Sequence, residues 1–222
     1  MGSLSREVQR DRLHRTIWEV ANELRGAVDG WDFKSYVLGM LFYRFISENL
    51  ATFSEKNEGE GFSYADLTDE QAEPIRGMMV DEKGFFILPS QLFVNVRKRA
   101  AQDENLNETL EKVFQSIEGS SVGHGSEADL KGLFDDLDVN STRLGNTVER
   151  RNEKLRKLLN AIGELDMGEQ HDEGIDMFGD AYEFLMQMYA SQSGKSGGEY
   201  YTPQEVSDLL ARLTVIGKDS VQ

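Results

Sequence analysis

Apolar positions recur along most of this chain with the period of a helix. Over residues 5–28, Leu13, Ile17, Val20, Ala21, Leu24 and Val28 fall at the three–four spacing of one buried face, which predicts an amphipathic helix. Asp29-Gly30 breaks the pattern, and Asp32 is placed to cap the next helix. Residues 33–53 are different in kind. Phe33, Tyr36, Val37, Leu38, Met40, Leu41, Phe42, Tyr43, Phe45, Ile46 and Leu50 surround the axis, and only Lys34, Arg44 and Glu48 are charged. A helix apolar on every side is enclosed by others, so this segment is expected to be the hub of a bundle.

Beyond the polar stretch 55–62, a short helix is predicted from Asp69 towards Val80. Gly84-Phe85-Phe86-Ile87-Leu88, ended by Pro89, is the best strand candidate. Helices are then expected from Ser90 to Arg99 and from about Asp103 to Glu118. A glycine- and serine-rich loop follows to Ser126, then a short helix to Asp136. After an irregular connection over 138–145, a long helix covers about 146–163 with Val148, Leu155, Leu158, Leu159 and Ile162 inward. The acidic, glycine-containing stretch 163–174 reads as a hinge. A compact helix over 176–191 places Phe178, Ala181, Tyr182, Leu185 and Met188 on one side, and a last helix runs from Pro203 to about Thr214. The fold class is mainly α: a helical bundle with at most a small β element.

Composition narrows the chemistry. At 222 residues and 39% hydrophobic, the chain can bury a substantial core. It has no apolar run of membrane-spanning length and no signal-like start, which reads as a cytoplasmic protein with no membrane partner. With no cysteine and three scattered histidines, His14, His124 and His171, neither a disulfide nor a metal site is expected. Lys and Arg number 24 against 40 Asp and Glu, a net charge of −16. A free-standing DNA binder would be basic. The acid is concentrated in residues 51–140, with 19 acidic against 8 basic positions. That is either a solvated, solubilising face, a surface that meets a basic partner, or one that repels DNA except along a chosen path. The local exception is 150–157: on a helix, Arg150, Lys154 and Lys157 share a stripe with Arg151 close by. Such a stripe is either an ordinary exposed face or a set of contacts to a phosphate backbone.

The densest local signal lies near the end, in Gly194-Lys195-Ser196-Gly197-Gly198-Glu199-Tyr200-Tyr201-Thr202-Pro203-Gln204-Glu205-Val206. Thr202 suits an N-cap, Pro203 the first helical position, and Glu205 closes a capping box. A helix start behind glycines offers free N–H groups and a positive dipole end to an anion, and the tyrosines offer aromatic faces to a cation. A P-loop is excluded, because Tyr189 stands where that motif requires glycine.

Gly197-Gly198-Glu199-Tyr200-Tyr201-Thr202-Pro203-Gln204-Glu205-Val206 resembles the segment that opens the catalytic domain of N6-adenine DNA methyltransferases. It is most similar to that of the modification subunit of type I restriction–modification systems. Ile17-Trp18-Glu19-Val20-Ala21-Asn22-Glu23-Leu24-Arg25-Gly26 and Tyr36-Val37-Leu38-Gly39-Met40-Leu41-Phe42-Tyr43-Arg44-Phe45-Ile46-Ser47 resemble that subunit's N-terminal helical region. So do Arg143-Leu144-Gly145-Asn146-Thr147-Val148 and Phe178-Gly179-Asp180-Ala181-Tyr182-Glu183-Phe184-Leu185.

The resemblance implies an N-terminal helical domain over 1–165, a connecting helix and glycine-rich loop over 166–198, and the start of an α/β methyltransferase domain over 199–222. It implies that Glu199, Tyr200, Tyr201, Thr202, Pro203 and Gln204 line the methionine end of S-adenosylmethionine. The helical part would meet DNA, the specificity subunit, a second modification subunit and the restriction subunit. Arg150, Arg151, Lys154 and Lys157 are the candidates for the DNA backbone.

An amide-gripping Asn-Pro-Pro turn is absent, since the prolines are Pro74, Pro89 and Pro203, so no catalytic residue is assigned and the isolated chain is expected to be inactive. Two rivals stand beside this reading. One is a single-polypeptide adenine methyltransferase; the other is a non-enzymatic acidic helical adaptor or DNA mimic.

Overall fold

A computed structural model describes residues 30–56, 61–165 and 204–216, together with Val8, Asp11, His14, Arg15, Ile17, Trp18, Gly179, Ala181, Glu183, Phe184, Met186 and Thr202. Its helices are α1 (Gly30–Lys56), α2 (Asp69–Ala72), α3 (Arg76–Lys83), α4 (Phe93–Arg99), α5 (Leu106–Gly119), α6 (Glu127–Leu130), α7 (Val148–Glu164) and α8 (Gln204–Val215). Short 3-10 turns at Tyr64–Asp66, Glu73–Ile75 and Pro89–Gln91 link some of them.

The hub expectation holds. From residue 35 to residue 55 of α1, every side chain is buried or half-buried. The helix is longer than expected at both ends, running from Gly30 through Lys56. Near its end Glu55 accepts the Tyr64 N–H at 3.1 Å, tying the returning chain to it. Tyr43 is the centre of an aromatic tier. It meets Phe93 of α4 edge-on, and Phe114 of α5 likewise, both at 5.5 Å between ring centres. Phe114 stacks on Phe134 at 4.4 Å. Each such pair adds about 0.5–1.5 kcal/mol beyond its area burial.

The strand expectation fails: among the described residues there is no β-strand. The segment 84–88 is irregular, and side chains serve its backbone in place of a neighbouring strand. Ser126 Oγ donates to the Gly84 carbonyl at 2.6 Å, the Phe86 N–H donates to Ser120 Oγ at 2.9 Å, and the Tyr64 hydroxyl donates to the Ile87 carbonyl at 2.8 Å. Gly84 ends α3 with φ at +84°, a left-handed turn that glycine adopts without steric penalty.

Three further expectations are redrawn. The helix from Asp69 is divided at Pro74, and its cap is Thr68 in a capping box with Gln71; Asp69 accepts from the Ser90 N–H and hydroxyl. Pro89–Gln91 is a 3-10 turn, so the helix expected from Ser90 starts at Phe93. Val148 is 42% exposed, because the first turn of α7 projects past the body that buries Asn152, Leu155, Leu158, Leu159 and Ile162.

α1 and α7 are joined through Arg44, whose guanidinium donates to the Ile162 carbonyl at 2.6 Å and the Leu165 carbonyl at 2.8 Å. It thereby adds a second donor to the Ile162 carbonyl, which also accepts the Leu165 N–H at 3.3 Å, and supplies one to the Leu165 carbonyl. Val8, Asp11, His14, Arg15, Ile17 and Trp18 are helical, and Ile17 is buried as the periodicity requires. Ala181 is buried too, and Phe184 stacks on His14 at 4.2 Å and 7°; Gly179, Ala181, Glu183, Phe184 and Met186 are helical. Leu13, Val20, Ala21, Leu24, Val28, Phe178, Tyr182, Leu185 and Met188 lie outside the described residues.

Candidate functional site

Two places carry the candidate chemistry. The first is the start of α8. Its first described helical residue is Gln204, one position after the Pro203 at which the capping pattern starts the helix, and Thr202 is exposed. Glu199, Tyr200, Tyr201 and Pro203 lie outside the described residues, as does the Gln204 side chain. The N–H groups of a helix's first turn have no intrahelical acceptors, and the dipole gives that end a positive potential. An accessible hydroxyl beside them suits a carboxylate. Along α8, Val206, Leu209, Leu210, Leu213 and Val215 are 42–56% exposed, an apolar row.

The second is α7. Thr147 caps it by accepting the Arg150 N–H at 3.3 Å. The four basic candidates do not form one free stripe. Arg150 is exposed. Arg151 turns inward, donating to the Gly145 carbonyl at 3.1 Å with its Nε enclosed. Lys154 is half-buried. Lys157 is exposed and pairs with Glu153 at 2.8 Å; that hydrogen bond, then the lysine's charge, lowers the Glu153 ionisation from its ordinary value.

The structure adds a group that periodicity and spacing did not single out. Arg97, Lys98 and Arg99 close α4, which packs against α7. Arg97 lies across Gly163 and reaches Asn160 Oδ1 and Glu164 Oε1, each at 3.4 Å. Arg156 of α7 is half-buried, and its Nε is enclosed without a hydrogen-bond partner. Three consecutive basic residues inside the acidic stretch 51–140 were the available signal.

Among the described residues no group of three or more His, Asp or Glu is placed to hold a metal ion, and no helix is long and apolar enough to cross a membrane.

Comparison with known proteins gives two family matches in order along the chain. The family described as HsdM N-terminal domain matches residues 13–162, and the one described as N-6 DNA Methylase matches residues 173–222. The chain is 49% identical over 226 aligned residues to the type I restriction enzyme MpnII methylase subunit of Mycoplasma pneumoniae, covering 97% of this chain and 42% of that protein. To the MjaIX methylase subunit of Methanocaldococcus jannaschii it is 23% identical, covering 92% and 36%. A solved structure, the type I restriction-modification system methyltransferase subunit from Streptococcus thermophilus, superposes with a TM-score of 0.76 at 28% identity. That match covers 96% of this chain and 45% of that one. The chain thus spans less than half the length of these relatives.

Proposed function

The chain belongs to the HsdM N-terminal domain family, and on that footing we propose that it is the helical front part of a DNA-methylating subunit of a type I restriction–modification system. The subunit transfers a methyl group to adenine N6 in DNA, in the cytoplasm, as part of a complex with a specificity subunit, a second methylating subunit and a restriction subunit. The observation that carries this reading is the order of the two matches: a helical domain, then the opening of a DNA methylase with α8 inside it.

S-adenosylmethionine, when bound, supplies a methyl group already activated on a sulfonium. The residues of this chain fit one end of it. The first-turn N–H groups of α8 and the exposed Thr202 hydroxyl suit the methionine carboxylate. Tyr200 and Tyr201 offer aromatic faces, and Glu199 a negative charge, to the cationic sulfur. Pro203 and Gln204 line the same end in this reading. These residues bind and orient the donor. Reaching adenine N6 also requires extracting the base from its stack, which residues 1–222 are not proposed to perform.

The test is calorimetric titration of the full-length subunit with S-adenosylmethionine. Thr202→Ala and Tyr201→Ala are each expected to weaken binding by about 2- to 30-fold, the equivalent of roughly 0.5–2 kcal/mol. Unchanged affinity in both variants would end the assignment of this turn.

A further inference from the structure

The two family matches meet in space as well as in sequence. His14 lies in the segment matched to the HsdM N-terminal domain, and Phe184 in the segment matched to N-6 DNA Methylase. Their rings stack face to face, with centres 4.2 Å apart and planes within 7° of parallel. About one helical turn from each, Ile17 and Ala181 are 2% and 0% exposed, and both belong to the hydrophobic core of the helical body. Phe184 packs against that core at its half-buried edge, where His14 is half-buried too. The first described residues of the methylase-matched segment are thus built into the body that precedes them.

We propose that His14 and Phe184 are positioning residues for methyl transfer, whose stack fixes the methylase-matched segment to the helical body ahead of the donor turn at 199–204; this rests on the DNA-methylating reading above. Chain length gives the stack its leverage. Upstream, the last described anchor is Leu165, which is buried and whose carbonyl accepts from Arg44. From Leu165 to Glu199 is 34 residues, a reach of at most about 110–120 Å for extended chain. From Phe184 it is 15 residues, or at most about 50 Å. The attachment therefore more than halves the distance at which the donor turn can stand from the helical body.

The pair is suited to setting an orientation as well as filling space. Ile17 and Ala181 already occupy the core, and small or branched aliphatic groups impose little direction on their neighbours. Two flat rings held parallel at the edge of that core favour one approach of the segments that carry them, and such a pair shifts an equilibrium by about 2- to 12-fold beyond its burial. Neither residue is among those assigned to the donor. Losing the stack therefore acts on where the donor turn stands, which is read in turnover, and leaves donor affinity alone.

The experiment uses the full-length subunit assembled with its specificity subunit. Transfer of labelled methyl to unmethylated genomic DNA, which carries target sites whatever their sequence, is followed at saturating S-adenosylmethionine. Rates are expressed per donor-binding subunit, so that misfolded protein is not counted. His14→Ala and Phe184→Ala should each slow transfer by about 2- to 12-fold, with S-adenosylmethionine affinity unchanged. The double variant should be no slower than the slower single one, because both remove the same contact. His14→Phe, which keeps a flat ring, should recover most of the rate, and His14→Leu, which keeps bulk alone, should not. Hydrogen exchange should rise at residues 179–186 and stay unchanged at 159–165. Wild-type rates in both alanine variants overturn the positioning role, as do losses that add independently, and either result leaves the methylase reading standing. Recovery by His14→Leu as full as by His14→Phe reduces the pair to core packing and also overturns it. A wild-type complex that transfers no methyl group overturns the reading beneath it.

Discussion

Single side chains make the body of this protein specific. Tyr43 and Tyr64 are fully enclosed, and each spends its hydroxyl on a backbone carbonyl, of Gln91 and Ile87 respectively. Burial raises both ionisations well above the ordinary 10.0; Arg99 opposes this at Tyr43, while Asp69 adds to it at Tyr64. Both hydroxyls therefore stay protonated in the fold while the unfolded chain sheds these protons, so stability is lost as pH rises past about 10. Tyr64→Phe should cost about 1–2 kcal/mol at neutral pH by stranding the Ile87 carbonyl, and should make the alkaline loss shallower. Urea unfolding between neutral and alkaline pH checks this, and an equally steep alkaline loss would refute it. At this scale the presence of a last helix was legible in the sequence, because helix-start signals are local: the described helix runs from Gln204 to Val215. Arg156 was not legible as a distinct group, since which arginine on a basic helix ends up enclosed depends on what packs beside it.

Elements show what periodicity captures and what it misses. The hub α1 and the inward stripe of α7 follow from the spacing of apolar residues alone, because burial of a face is what that spacing encodes. The strand expectation at 84–88 failed because an apolar run suggests a strand without stating who serves its backbone; here Ser120, Ser126 and Tyr64 do. Arg44 is a related case. Its sequence neighbours made it a charge on an apolar helix, yet its carbonyl partners are 118 and 121 positions away. Only its pair with Glu48, four residues on, was visible locally. Arg44→Met should destabilise the protein by about 1–3 kcal/mol by removing the donor to the Leu165 carbonyl and leaving the Ile162 carbonyl with the Leu165 N–H alone, with Arg44→Lys recovering part. Chemical denaturation gives the magnitude, and hydrogen exchange should rise first at residues 159–165. Uniform loosening would instead mean that Arg44 serves the core generally.

At the scale of the whole molecule the governing quantity is the −16 charge. Self-repulsion destabilises a compact acidic body and is screened by salt. Melting temperature should therefore rise as sodium chloride increases from about 0.05 to 0.2 M. Thermal scans decide it; a melting temperature that falls with salt would show that attractive pairs outweigh the repulsion. The central position of α1 has a further bearing on how the protein is made. Its enclosing partners arrive late, with α7 ending at Glu164. At ribosomal rates of about 5–20 residues per second, the roughly 110 residues after Lys56 take on the order of 5–20 s to emerge. For that interval the stickiest segment of the nascent chain is outside the tunnel without its companions, so its yield in the cell depends on chaperones that shelter it until translation catches up.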